Sequence, residues 1–151
     1  ELLDTVINFE KNVDSNINFI RSFDTSLPNI LADRDKLHQV FLNLIRNAVE
    51  ASDNKKTIKV KTRFCGKWEL AGTNLNPELN YILISVEDEG SGVKFENRKK
   101  LFKPLFSTKN KGNGLGLSIS YRLIQAQNGL LSYLPGNKIG SIFQIFLPEH
   151  H

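Results

Sequence analysis

Apolar positions along the chain follow two kinds of period. Between residues 33 and 52, Leu37, Val40, Phe41, Leu44, Ile45 and Ala48 recur at i, i+3, i+4, i+7, i+8 and i+11, one face of an amphipathic helix. Asp33 or Asp35 can cap its start, and Asp53-Asn54 can end it. A second helix is predicted over 115–127, with Leu115, Ile119, Leu123 and Ala126 as its apolar stripe and Asn128-Gly129 as its stop. Leu2, Leu3, Val6, Ile7 and Phe9 predict a short opening helix. Shorter periods predict strands at 16–23 and at 57–65, where Ile58, Val60, Thr62 and Phe64 alternate with lysines. Residues 81–86 are nearly all apolar and predict a central strand, while 130–134 and 142–147 predict a hairpin around Pro135-Gly136-Asn137. Between these, 66–80 reads as a long loop, 88–92 as a turn and 93–112 as irregular and basic. The mixture predicts an α+β fold, a mostly antiparallel sheet covered on one face by helices.

Composition narrows the class. The 151 residues, 40% hydrophobic and 24% charged, suit one soluble globular domain and exclude a disordered tail or coiled coil. No apolar run reaches the roughly 18 residues of a membrane span, and residues 1–11 have no signal-peptide pattern. Cys65 is the single cysteine, which excludes an intrachain disulfide and a thiolate metal cage. The net charge of +4 is too mild to point to nucleic acid by itself. Its distribution is uneven: Lys94, Arg98, Lys99, Lys100, Lys103, Lys109 and Lys111 face one acid, Glu96, within 94–111. Such a run is either a solvated loop face or an anion-facing segment.

Four local patterns carry candidate chemistry. Asn43, Asn47 and Glu50 lie along one flank of the long helix's apolar stripe, and an amide oxygen is a neutral hard ligand suited to Mg²⁺. Val86-Glu87-Asp88-Glu89-Gly90-Ser91-Gly92-Val93 puts a carboxylate at a strand end beside two glycines. The carboxylate can accept from an exocyclic amine, and bare backbone leaves room for a flat ligand. Gly112-Asn113-Gly114-Leu115-Gly116-Leu117 opens the second helix, where backbone N–H groups make an anion site. It fits neither the dinucleotide spacing nor a P-loop. Leu101-Phe102-Lys103-Pro104-Leu105-Phe106-Ser107-Thr108-Lys109 sets two aromatic anchors in a basic segment. Taken singly, the asparagines read more simply as boundary residues of a helix and the carboxylate as part of an acidic Gly-rich turn; the glycine pattern alone is weak and also fits a flexible hinge, and the aromatic segment also fits a loop pinned to the core.

Taken in order, the four resemble the ATP-binding catalytic domain of sensor histidine kinases, in the superfamily shared with gyrase, Hsp90 and MutL. Leu42-Asn43-Leu44-Ile45-Arg46-Asn47-Ala48-Val49-Glu50-Ala51 is similar to the N box, Asp88-Glu89-Gly90-Ser91-Gly92 to the first glycine box, 102–109 to the F box and 112–117 to the second glycine box. Gly140-Ser141-Ile142-Phe143 and Leu147-Pro148 resemble the closing strand. Ser26-Leu27-Pro28, Asp33-Arg34-Asp35 and Phe106-Ser107-Thr108-Lys109 look most like nitrogen-regulation sensor kinases. Lys103 and Leu105 depart from the commoner Glu and Phe, and Asn113 from a common Thr.

The resemblance implies a Bergerat-type two-layer α/β sandwich over 26–149 with a lid at 93–112, and a lead-in at 1–25 that holds the tail of a dimerisation helix and a first strand. It implies the cofactors ATP and Mg²⁺. Asn47 would ligate the metal, with Asn43 near the phosphates. Asp88 would read adenine, Gly90 and Gly92 would make space for it, and Ser141 would touch it through water. Gly112, Gly114 and Gly116 would hinge the lid, and Lys109 would balance phosphate charge. Glu50, Val93, Phe106, Ser107, Thr108, Leu115 and Leu117 would complete the nucleotide contacts. Asn43, Asn47 and Lys109 would form the catalytic set.

The implied reaction is transfer of the γ-phosphate to a histidine on a separate dimerisation segment, in two-component signalling with a response regulator. The histidines of this chain are His38, His150 and His151, and none occupies an acceptor segment of that kind. The expected chain is a monomeric fragment of a cytosolic or membrane-tethered homodimer, with this domain in the cytoplasm and no nucleic-acid partner. Alternatives are a nucleotide-binding regulatory module, an ATPase of the same superfamily, and a basic nucleic-acid-binding domain using 94–111.

Overall fold

A computed structural model describes residues 1–52, 57–104, 106 and 116–149. Helix α1 (Leu2–Val13) leads into strand β1 (Asn18–Phe23), then helix α2 (Arg34–Ala51) and strands β2 (Thr57–Phe64) and β3 (Tyr81–Asp88). Helix α3 (Gly116–Gln125) and strands β4 (Leu130–Pro135) and β5 (Ser141–Pro148) follow. The sheet order is β1-β2-β3-β5-β4, parallel only between β1 and β2 and antiparallel elsewhere. The expected mostly antiparallel α+β sandwich is therefore the observed one.

Helix α2 is the central layer. Its predicted face, Leu37, Val40, Phe41, Leu44, Ile45 and Ala48, is buried as a set. Asp33 caps it, accepting from the Lys36 N–H at 3.1 Å, which satisfies one of the free donors of the first turn. The stripe meets Ile82, Ile84 and Val86 of β3, Phe143, Ile145 and Leu147 of β5, and Ile58 and Val60 of β2 in one core cluster. Leu3, Val6 and Ile7 bring α1 into the same cluster. Beside them Glu10, only 5% exposed, accepts from Arg46 Nε at 2.8 Å, and Arg46 also lies over the Phe9 ring. This joins α1 to the middle of α2.

Helix α3 departs from its predicted stripe. Ile119 is 37% exposed and Ala126 faces solvent, while Ser118, Ser120 and Ile124 are buried. Leu117, Tyr121 and Leu123 pack partly against the core, so the inner face runs through Leu117, Ser120, Tyr121 and Ile124 at helical spacing. A buried serine at 120 hides that face from an apolar count. Leu115 lies outside the described residues. The helix stops as expected: Asn128 takes φ 62° and the Gly129 N–H returns to the Ile124 carbonyl at 3.0 Å.

The 66–80 segment is more ordered than a long loop. It opens with a short 3-10 helix, Lys67–Leu70, and its Leu70, Leu75 and Leu79 pack on Tyr81, Leu83 and Phe146. Those strand residues point away from the helices, so this segment covers one end of the sheet's second face. Likewise the irregular basic stretch holds a 3-10 helix, Phe95–Lys100.

Arg63 and Glu69 tie the 66–80 segment to β2. Arg63 donates from both terminal nitrogens, at 2.6 and 2.8 Å, and the Gly66 N–H adds a third bond at 2.9 Å. The Arg63 hydrogen bonds hold the Glu69 carboxyl below its ordinary value of 4.5, against the opposing effect of burial. A depressed folded-state value means stability that is complete above the unfolded value and lost as pH falls through the folded one. Glu69→Gln should therefore destabilise the domain near neutral pH, by an amount that shrinks below about pH 4.5. Urea denaturation of both proteins across this range checks it. A difference that stays constant with pH would remove the ion pair from the explanation.

Candidate functional site

The site is built where the C-terminal end of β3 passes the second half of α2. Asp88 is the last residue of β3 rather than part of the following turn, and it is 2% exposed. Its Oδ1 accepts from the Gly90 N–H at 2.9 Å. Ile142 faces Glu87 across the β3–β5 ladder, so Ser141 follows opposite Asp88 on the same face of the sheet. Ser141 is 4% exposed.

Close backbone packing holds this corner. A Cβ at Gly90 would come within 2.2 Å of the Ala51 carbonyl oxygen, so the turn lies directly on the end of α2. A Cβ at Gly140 would come within 2.0 Å of the Asp88 carbonyl oxygen, and Gly140 sits at φ +91°. Gly92, at φ +75°, abuts Gly140 in turn. The two glycines of the first box thus have separate reasons. Gly90 permits contact with α2, and Gly92 permits a left-handed turn.

On the α2 side, Asn43 and Asn47 are half-buried and Glu50 is exposed. Asn43 reaches α3: its Nδ2 donates to Ser120 Oγ at 3.2 Å and lies 3.4 Å from the Gly116 carbonyl. Gly116 therefore lies against the N-box amide. A Cβ added there would make ordinary contact with Asn43 at 3.8 Å, so space alone does not demand a glycine.

An aromatic wall closes one side. Phe102 stacks on Tyr121 at 5.0 Å, meets Phe143 edge-on at 6.5 Å, and Phe143 meets Tyr133 at 5.5 Å. The Tyr133 hydroxyl accepts from the Val93 N–H at 3.2 Å, and Arg98 Nε donates to the Val93 carbonyl at 3.2 Å. Arg98 also lies over the Phe95 and Tyr133 rings, each at 5.6 Å. Val93, where the basic segment begins, is held from both sides. Phe106 is half-buried, and its N–H lies 3.4 Å from the Lys103 carbonyl. Leu117 packs partly on the core.

Asn43, Asn47, Asp88, Gly90, Gly92, Val93, Gly116, Leu117 and Ser141 are thus placed on α2, on α3, and at the facing ends of β3 and β5. Ser107, Thr108, Lys109, Gly112, Gly114 and Leu115 lie outside the described residues. Sequence reasoning missed Ser120, Tyr133 and Arg98. A serine on a helix and a tyrosine on an edge strand carry no signal until the fold pairs them.

The donor set fits a nucleotide carrying its own metal. Among the described residues no group of three His, Cys, Asp or Glu could hold a metal ion. An Mg²⁺ held by amide oxygens, waters and substrate phosphates needs no such cage. Asn43 and Asn47 carry such amides on α2, and Asp88 carries a buried carboxylate at the end of β3.

A helical layer over this sheet, with an asparagine-bearing helix facing a buried aspartate at a glycine-rich strand end, defines a nucleotide-cleft sandwich. The chain belongs to the family described as histidine kinase-, DNA gyrase B-, and HSP90-like ATPases, which matches residues 32–151. It is 37% identical over 138 residues to the signal transduction histidine-protein kinase AtoS of Escherichia coli, covering 90% of this chain and 20% of AtoS. It is 34% identical over 131 residues to the sensory histidine kinase/phosphatase NtrB of Rhodobacter capsulatus, covering 85% of this chain and 36% of NtrB. Full-length ShkA in complex with AMPPNP superposes with a TM-score of 0.77 at 26% identity, over 97% of this chain and 29% of ShkA. The chain therefore spans about a fifth to a third of the length of these relatives. The Bergerat-type sandwich expected from the motifs is the fold they share.

The Gly140 contact yields a stability test with an internal control. Gly72 also has positive φ, +78°, but a Cβ there would meet nothing within 4 Å. Gly72→Ala should cost about 1 kcal/mol, the backbone strain alone. Gly140→Ala adds a clash with the Asp88 carbonyl and should cost about 3 kcal/mol or more. Equal losses in urea denaturation would show that the β3–β5 ends are not held by this approach.

Proposed function

We propose that this domain binds Mg²⁺·ATP between α2, α3 and the Asp88–Ser141 corner, and donates the γ-phosphate to a histidine on a separate dimerisation segment. The observation that supports the proposal is the packing of the Asp88–Gly90 turn on the Ala51 end of α2, the helix that carries Asn43 and Asn47. Asp88 accepts from the adenine amine and Ser141 contributes through water, while Gly90 and Gly92 hold the turn that carries Asp88 against Ala51 and Gly140 rather than opening space for the ring. Asn47 ligates the metal, and Asn43 stands beside the phosphates. Lys109 balances their charge, and Gly112, Gly114 and Gly116 give the 93–112 lid its hinges. Glu50, Phe106, Ser107, Thr108, Leu115 and Leu117 complete the contacts. Mg²⁺ supplies neutralisation of the developing charge, and the chain's own residues supply position.

In transfer, an imidazole nitrogen of the acceptor forms a bond to the γ-phosphorus as the bond to the bridging oxygen breaks, and ADP leaves. Asn43 cannot take a proton from water, which favours transfer over hydrolysis. The acceptor helices, a response regulator, homodimerisation and placement of this domain in the cytoplasm follow from that reading. So does a division into a lead-in at 1–25 and an ATP-binding unit at 26–149. Among the described residues no helix is long and apolar enough to cross a membrane. Ser26-Leu27-Pro28 and the 106–109 sequence support the narrower reading as a nitrogen-regulation type.

Mg²⁺·ATP at a hundred times its dissociation constant should stabilise the domain by about 2.7 kcal/mol. Asp88→Asn should remove most of that, because an amide can present a donor to adenine's own amine. A wild-type melting temperature unmoved by saturating nucleotide would refute the cleft assignment. With binding established, a supplied dimerisation segment should acquire acid-labile phosphate, and Asn47→Ala should abolish the labelling. Tight binding without any transfer would leave a regulatory nucleotide module instead.

A further inference from the structure

Ser120 is sealed within the α2–α3 seam, with no solvent exposure. A hydroxyl in that position requires a partner, and Asn43 supplies one through Nδ2 at 3.2 Å. The same Nδ2 faces the Gly116 carbonyl at 3.4 Å. A backbone carbonyl only accepts, so the edge of the Asn43 amide facing α3 must be its NH₂ group. The other edge carries Oδ1, which makes no hydrogen bond to Ser120 or the Gly116 carbonyl, although it lies as near the Gly116 Cβ position as Nδ2 does, 3.9 Å. Asn47 lies one turn further along the same flank of α2.

We propose that Ser120 is a positioning residue for the phosphate end of the site: the Gly116 carbonyl selects the NH₂ edge of the Asn43 amide, and Ser120, as a second acceptor, holds that edge in place so that the amide oxygen is offered to the metal–phosphate group. The inference rests on the Mg²⁺·ATP reading of the cleft. Without the Ser120 oxygen, Nδ2 keeps only the longer contact to the Gly116 carbonyl, which still favours the NH₂ edge but holds the amide less firmly. A loosely held amide would offer its oxygen less steadily to a cation and its hydrated shell. Ser120 would thus act on metal-dependent binding and leave recognition of the base alone.

The test compares dissociation constants of wild type, Ser120→Ala and Ser120→Cys for Mg²⁺·ATP, for ATP in EDTA and for adenosine. Ser120→Ala should weaken Mg²⁺·ATP binding by about tenfold, the lower end of the cost of losing a partner behind a metal ligand. Adenosine binding should not change, and the advantage of Mg²⁺·ATP over metal-free ATP should shrink by the same factor. Ser120→Cys, close in size with a weak acceptor, should fall between. In an Asn43→Ala background, Ser120→Ala should have no further effect on Mg²⁺·ATP, because its route is already gone. Equal weakening of all three ligands, additive losses in the double variant, or an unchanged metal dependence would overturn the proposal. A wild type that binds adenosine but gains nothing from Mg²⁺ would overturn it too. A wild type that binds no nucleotide would instead bring down the reading of the cleft on which it rests.

Discussion

A carboxylate withdrawn from water must be given donors and a tightly shaped surround, and Asp88 imposes that demand on everything near it. One donor is the Gly90 N–H, two residues on. For that turn to close, Gly90 must lie on the carbonyl of Ala51, which fixes where α2 ends relative to β3. For β5 to begin opposite Asp88, Gly140 must lie on the Asp88 carbonyl in a left-handed conformation. Three elements are thus positioned by contacts too close for any side chain.

Helix α2 serves two surfaces at once. Its buried stripe packs on the sheet, while Asn43 on its flank meets α3. Arg46 stands between the two asparagines in sequence yet turns to Glu10 on α1. A nearly buried carboxylate with a half-exposed arginine is weak evidence of net stability, because desolvation offsets much of the attraction. Removing either partner alone is costly, since it strands the other. The pair therefore specifies how α1 docks more than how tightly the domain folds, and it links the start of the chain to the helix that carries the site.

Legibility in the sequence tracked the chemistry of each element. The α2 stripe, the Asp33 cap, the central strand and the closing hairpin were readable because apolar period and turn residues agree there. The functional corner was readable in pieces: Asp88 with its glycines, Asn43 with Asn47, and Ser141 after Gly140. What bound the pieces was not local. Tyr133 meets Val93 across forty positions, and Asn43 meets Ser120 across seventy-seven. The packing of 66–80 was hidden for a similar reason. Its anchors, Leu70 and Leu79, gain a partner only when β3 and β5 pair and expose a second apolar face.

The misread stripe of α3 follows from the same physics that the site requires. An apolar count favours Ile119, but the inner face carries Ser120 between Leu117 and Ile124. An all-aliphatic α2–α3 seam would bury more apolar area and offer Asn43 no acceptor beyond a main-chain carbonyl. The half-buried amide would then be held by one bond at 3.4 Å, which favours its NH₂ edge but fixes it loosely. A small hydroxyl at 120 fills the space beside Gly116 without pushing the helices apart and supplies the missing acceptor. The serine thus weakens the helical pattern at the one place where the seam must also orient a polar group, a local cost to apolar burial set against a defined direction for the amide.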